Sequence, residues 1–316
     1  MKPAEARALA EQVRTAVHTA VVGRDEAVDL VLTGLVADGH LLLEDMPGLG
    51  KTLIARSFAT ALGLSFRRIQ FTADLLPHDI LGGAVPDGSR GGLVFRPGPL
   101  FTNVLLADEI NRAPPKVQSA LLEAMQEYQV TTEEETRLLD RPFLVLATQN
   151  PLELEGTYPL PEAQVDRFLM RLSVGYPTAE EEREILTRRR NRKEDEVVVP
   201  AVLPPGMFRE VQRATESVNV DPAVEAYAVE LVHATRIDPR SEVGASPRGS
   251  LALLKLGRAR ALLDGRDFVI PDDMKSLALP ALGHRIVVKP EPWIRGVRGI
   301  EVVRAAVERT SVPKVP

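Results

Sequence analysis

Between Leu41 and Ala59 the chain reads LLLEDMPGLGKTLIARSFA. An apolar run passes through a glycine-bearing turn directly into an amphipathic helix. A strand that is apolar on both faces needs a parallel sheet covered by helices, so this short stretch already points to an α/β core. The turn comes close to the phosphate-loop pattern G-x-x-x-x-G-K-[ST], but Asp45 stands where the first glycine belongs. Aspartate tolerates left-handed torsions better than most residues, so the turn can still form, and its carboxylate is expected to point away from a bound anion. The loop runs through Pro47, Gly48, Leu49 and Gly50, and the residues after Pro47 carry backbone N–H groups that can turn inward at a phosphate. Lys51 adds a compact positive charge, Thr52 offers a hydroxyl to a magnesium ion, and the helix from Thr52 and Leu53 presents its positive end.

A second segment, NVLLADEIN, ends an apolar strand in Asp108 and Glu109, at the carboxyl end where ligands of open α/β sheets sit. Asp108 is the expected metal holder through water, and Glu109 the group that orients and deprotonates an attacking water. A hydrolase needs that second carboxylate, whereas a kinase does not. In FLVLATQNP, Asn150 follows a further strand and can place an amide beside the terminal phosphate, although Asn-Pro by itself also reads as a turn. Arg248 lies in the first turn of a helix, where a positive charge opposes the macrodipole unless an anion compensates it; a phosphate and a surface carboxylate both fit. Arg167 sits where helix meets strand. It reads equally as an ion pair with Asp166 or Glu162 and as a finger reaching a neighbour's phosphate.

Around these motifs, short strands alternate with helices from Ala20 to about Arg190, with strands expected at 40–45, 66–71, 104–109, 143–149 and 168–174. The expected organisation is an α/β nucleotide-binding domain over 1–190, a charged and proline-rich linker over 191–206, a small all-helical lid over 207–285, and a tail over 286–316. In the lid, Asp221 and Ser246 are each followed by proline, which marks helix starts, and Gly265 marks a stop. The N-terminal segment reads as an amphipathic helix rather than a signal peptide, with Leu9, Val13, Ala16 and Val17 on one face. The 316 residues carry a formal net charge of -5 and no cysteine, which argues against a basic nucleic-acid surface and excludes disulfides and thiol chemistry. The five histidines show no metal-ligand spacing. No run approaches the ~18 apolar residues of a membrane helix, and a cytoplasmic protein is expected.

The segments EDMPGLGKT, RIQFTADLLPHDILG, FRPGPLF, LLADEINRAPPKVQSALLEAMQE, ATQNP, YPLPEAQVDRF and GASPRG occur in the order found in the MoxR family of AAA+ ATPases, which the chain resembles over nearly its whole length. The resemblance implies ATP and Mg²⁺ as ligands, Lys51 and Thr52 as Walker A residues, and Asp108 and Glu109 as Walker B. It implies Asn150 as sensor 1, Arg167 as arginine finger, Arg248 as sensor 2, and Val22 and Gly23 on the adenine side. It also implies hairpin inserts at about 80–100 and 128–143, a ring oligomer (a hexamer is the expectation), and a von Willebrand factor A-domain protein as separate partner. The implied activity is ATP hydrolysis driving chaperone-like remodelling, maturation or metal-cofactor loading of a client. Two other readings stay open: a DNA-associated ring motor, which the basic run RRRNRK would serve, and a nucleotide-gated scaffold with little turnover.

Overall fold

A computed structural model describes residues 1–86, 93–132, 135–151 and 156–314. At its centre lies a five-stranded sheet of β1 (Leu41–Glu44), β2 (Phe66–Gln70), β3 (Val104–Asp108), β4 (Leu144–Gln149) and β5 (Met170–Leu172), in the order β2-β3-β4-β1-β5. Every neighbouring pair is parallel, with Leu41 opposite both Leu146 and Met170. The strands lie where the sequence places them. β5 is shorter than 168–174 because the amides of Val174 and Gly175 leave the ladder for the carboxylate of Asp45.

Strand periodicity divides the apolar residues between two cores. Leu41 and Leu43, Val104 and Leu106, and Leu144 and Leu146 face one side. Leu42, Leu105, Ala107, Val145 and Ala147 face the other. The first side is covered by α1 (Pro3–His18), α2 (Asp25–Val36) and α3 (Lys51–Ala61), the second by α4 (Pro115–Glu127). α1 buries Ala6, Ala10, Val13, Ala16 and Val17, with Leu9 half-buried at the margin.

After α5 (Ala179–Arg192) the chain runs without regular structure and returns to α3, where the amides of Val202 and Leu203 both donate to the Ala61 carbonyl. The longer helices that follow are α6 (Met207–Thr215), α7 (Pro222–Arg236), α8 (Pro247–Leu263), α9 (Pro271–Leu282) and α10 (Gly299–Arg309). Asp221 caps α7 by accepting from the Ala223 amide, Ser246 caps α8 by accepting from the Arg248 amide, and Gly265 ends α8 at φ 81. Buried residues of these helices, such as Leu253, Leu256, Leu277 and Val302, belong to the same continuous core as α1 and α2. Two antiparallel pairs stand off the sheet: Gly82–Pro86 with Leu93–Pro97, and Gln129–Thr131 with Thr136–Leu138. The expected turns of both hairpins, at 87–92 and 133–134, lie outside the described residues. Arg137 of the second pair stacks on Phe95 of the first, 3.8 Å from the ring centroid.

Candidate functional site

Because β1 to β5 are parallel, their carboxyl ends share one edge, and the loops leaving β1, β3 and β4 meet there. The loop after β1 turns through Gly48 at φ 83 and Gly50 at φ 85, left-handed torsions that a side chain would strain. A Cβ at Gly48 would meet nothing within 4 Å, so the loop opens outward at this point. Pro47 and Gly48 are exposed, Leu49 is buried, and Leu53 is exposed on the first turn of α3.

The Lys51 ammonium donates to the carbonyls of Asp45 and Met46, at 2.7 and 3.1 Å. Burial draws its pKa below the ordinary lysine value, while the charges of Asp45, Asp108 and Glu109 pull it back up. Thr52 is half-buried beside it. The Asp45 carboxylate points away from the loop's mouth. It accepts from the Ser173 hydroxyl and from the amides of Val174 at 2.6 Å and Gly175 at 3.3 Å.

Asp108 ends β3 and Glu109 directly follows it. One Asp108 oxygen accepts from the Thr148 hydroxyl at 2.6 Å, and that hydroxyl accepts the Glu109 amide at 2.9 Å. The other oxygen receives two N–H groups of Arg68, at 3.0 and 2.7 Å. Glu109 adopts φ 57 and ψ 50, a left-handed conformation that costs a non-glycine residue about 1–2 kcal/mol. Its Oε2 accepts from Gln70 at 2.6 Å and from Arg112 at 2.9 Å. Asn150 follows β4, half-buried on the same edge.

Val22 and Gly23 also reach this edge. Arg24 follows them and donates to the Leu49 carbonyl at 2.5 Å, tying the segment to the loop. Gly23 sits at φ 62 against Glu181, whose carboxylate would overlap any added Cβ at 1.6 Å. Beyond Arg24 opens a cavity of about 470 Å³, lined in part by Ala27, Leu30, Val174, Tyr176 and Leu279. Its volume and mixed lining suit an aromatic base.

Arg167 and Arg248 lie elsewhere. Arg167 precedes β5, and the segment Asp38–His40 beside it precedes β1, so this group occupies the amino edge of the sheet, at least one strand length, about 13 Å, from the phosphate loop. Arg167 donates to the Leu122 carbonyl at 3.0 Å, while its Nε is buried without a hydrogen-bond partner. Of the readings left open for Arg167, the ion pair with Asp166 is not formed: Asp166 pairs with the buried Arg285 and, at 3.6 Å, with Arg248. The anion that offsets Arg248 at the start of α8 is thus a carboxylate of this chain. Both arginines border one cavity of about 260 Å³ with Lys255 and Asp38. Neither reaches the phosphate loop of its own chain.

Sequence reasoning missed Arg24, Arg68, Gln70, Arg112 and Thr148. The signal for three of them lies in periodicity: Arg68 and Gln70 recur on one face of β2, and Thr148 is a fully buried polar group near the end of an otherwise apolar strand.

No group of three or more histidine, cysteine, aspartate or glutamate residues among those described could hold a metal by itself. Thr52 and Asp108 do supply hard oxygen donors beside the phosphate loop, which suits magnesium held jointly with a triphosphate.

A phosphate loop after the first strand, with paired acids two strands away and a helical unit docked alongside, is the arrangement of the AAA ATPases. Residues 40–170 match the model of the ATPase family associated with various cellular activities (AAA), and residues 233–306 match the AAA lid domain. Chaperone MoxR1 of Mycobacterium tuberculosis is 42% identical over 99% of this chain and 86% of its own. Protein MoxR of Methylorubrum extorquens is 32% identical over 93% and 92%, and YeaC of Bacillus subtilis is 46% identical over 94% and 92%. A crystal structure of a candidate ATPase from Cytophaga hutchinsonii superposes with a TM-score of 0.92 at 39% identity, covering 99% and 97% of the two chains. The chain belongs to the MoxR family of AAA+ ATPases. No helix among the described residues is long and apolar enough to cross a membrane.

Proposed function

We propose that the protein binds ATP at the carboxyl edge of its sheet and hydrolyses it to drive chaperone-like remodelling, maturation or metal-cofactor loading of client proteins. In this reading Lys51 and the loop amides hold the phosphates, and the base enters the cavity beside Arg24 and Leu279. Glu109 takes the proton of the attacking water, and Asn150 helps to place that water. Thr52 and Asp108 would hold magnesium, which when bound neutralises charge developing on the phosphates.

The observation that carries the proposal is the separation of two groups of residues. The lysine and paired acids stand on one edge, Arg167 and Arg248 on the other. A head-to-tail ring brings the amino edge of one subunit against the carboxyl edge of the next, so both arginines would act on a neighbour's nucleotide. Each catalytic centre is then shared, and a hexamer is the expected closure. The two hairpins joined by Arg137 and Phe95 would face the pore or a partner, for which a von Willebrand factor A-domain protein is the proposed candidate. ATP turnover per subunit, measured across a dilution series, should rise with assembly. Arg167→Ala should abolish that turnover while leaving nucleotide affinity nearly intact. Full activity from a strictly monomeric protein would overturn the shared-site reading.

A further inference from the structure

Three polar side chains link the two acids of β3 to the strand beside it. Arg68 places Nε and Nη2 on a single oxygen of Asp108, at 3.0 and 2.7 Å. The same Nη2 also donates to Gln70 Oε1 at 2.9 Å. With its oxygen occupied in this way, the Gln70 amide turns its NH₂ outward, and Nε2 donates to Glu109 at 2.6 Å. Arg68, Gln70, Asp108 and Glu109 therefore form one connected chain. The second Asp108 oxygen is already taken by Thr148 at 2.6 Å.

A guanidinium does not lose its charge, so it leaves a carboxylate only by moving away. Asp108 is 13% exposed, whereas Arg68 is 48% exposed and can swing into water at little desolvation cost. A divalent cation approaching Asp108, directly or through a bound water, needs the oxygen that Arg68 covers. From this geometry we infer that Arg68 competes with the divalent cation for Asp108, and that its displacement loosens Gln70 from Glu109. Metal arrival and release of the water-activating carboxylate are thereby coupled through one side chain on β2. The inference rests on the nucleotide reading above and assigns Arg68 a positioning role within that site.

The test is a magnesium titration of the full-length protein with a fluorescent non-hydrolysable ATP analogue, which reads binding rather than turnover. Arg68→Gln should lower the magnesium concentration at half-saturation roughly threefold, the scale of one partly exposed ion pair. Affinity for the analogue in excess chelator should stay as in the unsubstituted protein. Arg68→Lys keeps the charge but cannot bond Asp108 and Gln70 together as Arg68 does, so its half-point should fall between the two. Arg67→Gln removes the same charge from an exposed side chain on the other face of β2 and should leave the half-point in place. Thermal melting of each variant checks that it folds. An unchanged or raised half-point in Arg68→Gln, or an equal shift in Arg67→Gln, would overturn the competition. Failure of the unsubstituted protein to bind the analogue at any magnesium concentration would remove the nucleotide reading, and this inference with it.

Discussion

The carboxylate of Asp45 receives the amides of Val174 and Gly175, so the residue that breaks the phosphate-loop pattern also fastens the loop to the end of β5. Replacing it with glycine would restore the pattern but leave two backbone donors unpaired. Asp45→Gly should therefore destabilise the fold by about 2 kcal/mol in urea unfolding, not improve the site. Glu109 has the opposite balance, because its strained backbone and its bonds to Gln70 and Arg112 serve position rather than stability. Glu109→Gln removes the proton acceptor while keeping the shape. ATP turnover should fall by roughly 10²–10⁴, with nucleotide binding by calorimetry preserved. The Lys51, Asp108 and Glu109 positions were legible in the sequence because their spacing follows strand ends. Arg68, Gln70 and Thr148 were not, since their meaning depends on which strands become neighbours.

At the level of elements, the amino end of β1 is held by a buried histidine. The His40 Nε2 faces the Met125 carbonyl at 2.9 Å, and its Nδ1 accepts the Val145 amide at 3.0 Å, so the ring joins β1, α4 and β4 in one tautomer. Burial lowers its pKa from 6.5 to about 4, although the Met125 carbonyl and the Asp38 charge oppose the shift. In the folded protein His40 stays neutral between these two values, whereas the unfolded chain takes up a proton. Stability from this group is thus complete above pH 6.5 and is lost as pH falls toward 4. Unfolding free energy should drop by about 2 kcal/mol between pH 7 and pH 5 from His40 alone. His284, driven in the same direction mainly by burial, adds to the loss. Urea unfolding at several pH values measures the slope, which should flatten in His40→Gln. Sequence reading found these strands from their apolar pattern, but His40 carries no local sign that it will be enclosed by α4 and β4.

For the molecule as a whole, one core runs from the sheet through α1 and α2 into α8, α9 and α10. Packing of that kind transmits displacement rather than absorbing it, since close-packed interiors compress little. Because Arg167 and Arg248 stand on the edge opposite the phosphate loop, loss of function at one edge should be rescued by an intact copy of the other. Glu109→Gln and Arg167→Ala variants, each inactive alone, should regain about a quarter of normal turnover when mixed in equal amounts under random assembly, because one interface in four would join two intact halves. No recovery over a range of mixing ratios would count against a shared site.

Local sequence determined the parallel sheet, the phosphate loop, the paired acids and the helix caps of the second half. Each of these depends on residue spacing within one strand, turn or helix, where backbone periodicity acts directly. Tertiary structure alone decided that Asp45 would bind the residues just after β5, that Arg68 and Gln70 would reach Asp108 and Glu109, and that Arg248 would face Asp166 at the amino edge. Those outcomes depend on strand order and on how the final helices dock, and both are set by burial of apolar faces that lie far apart in the chain.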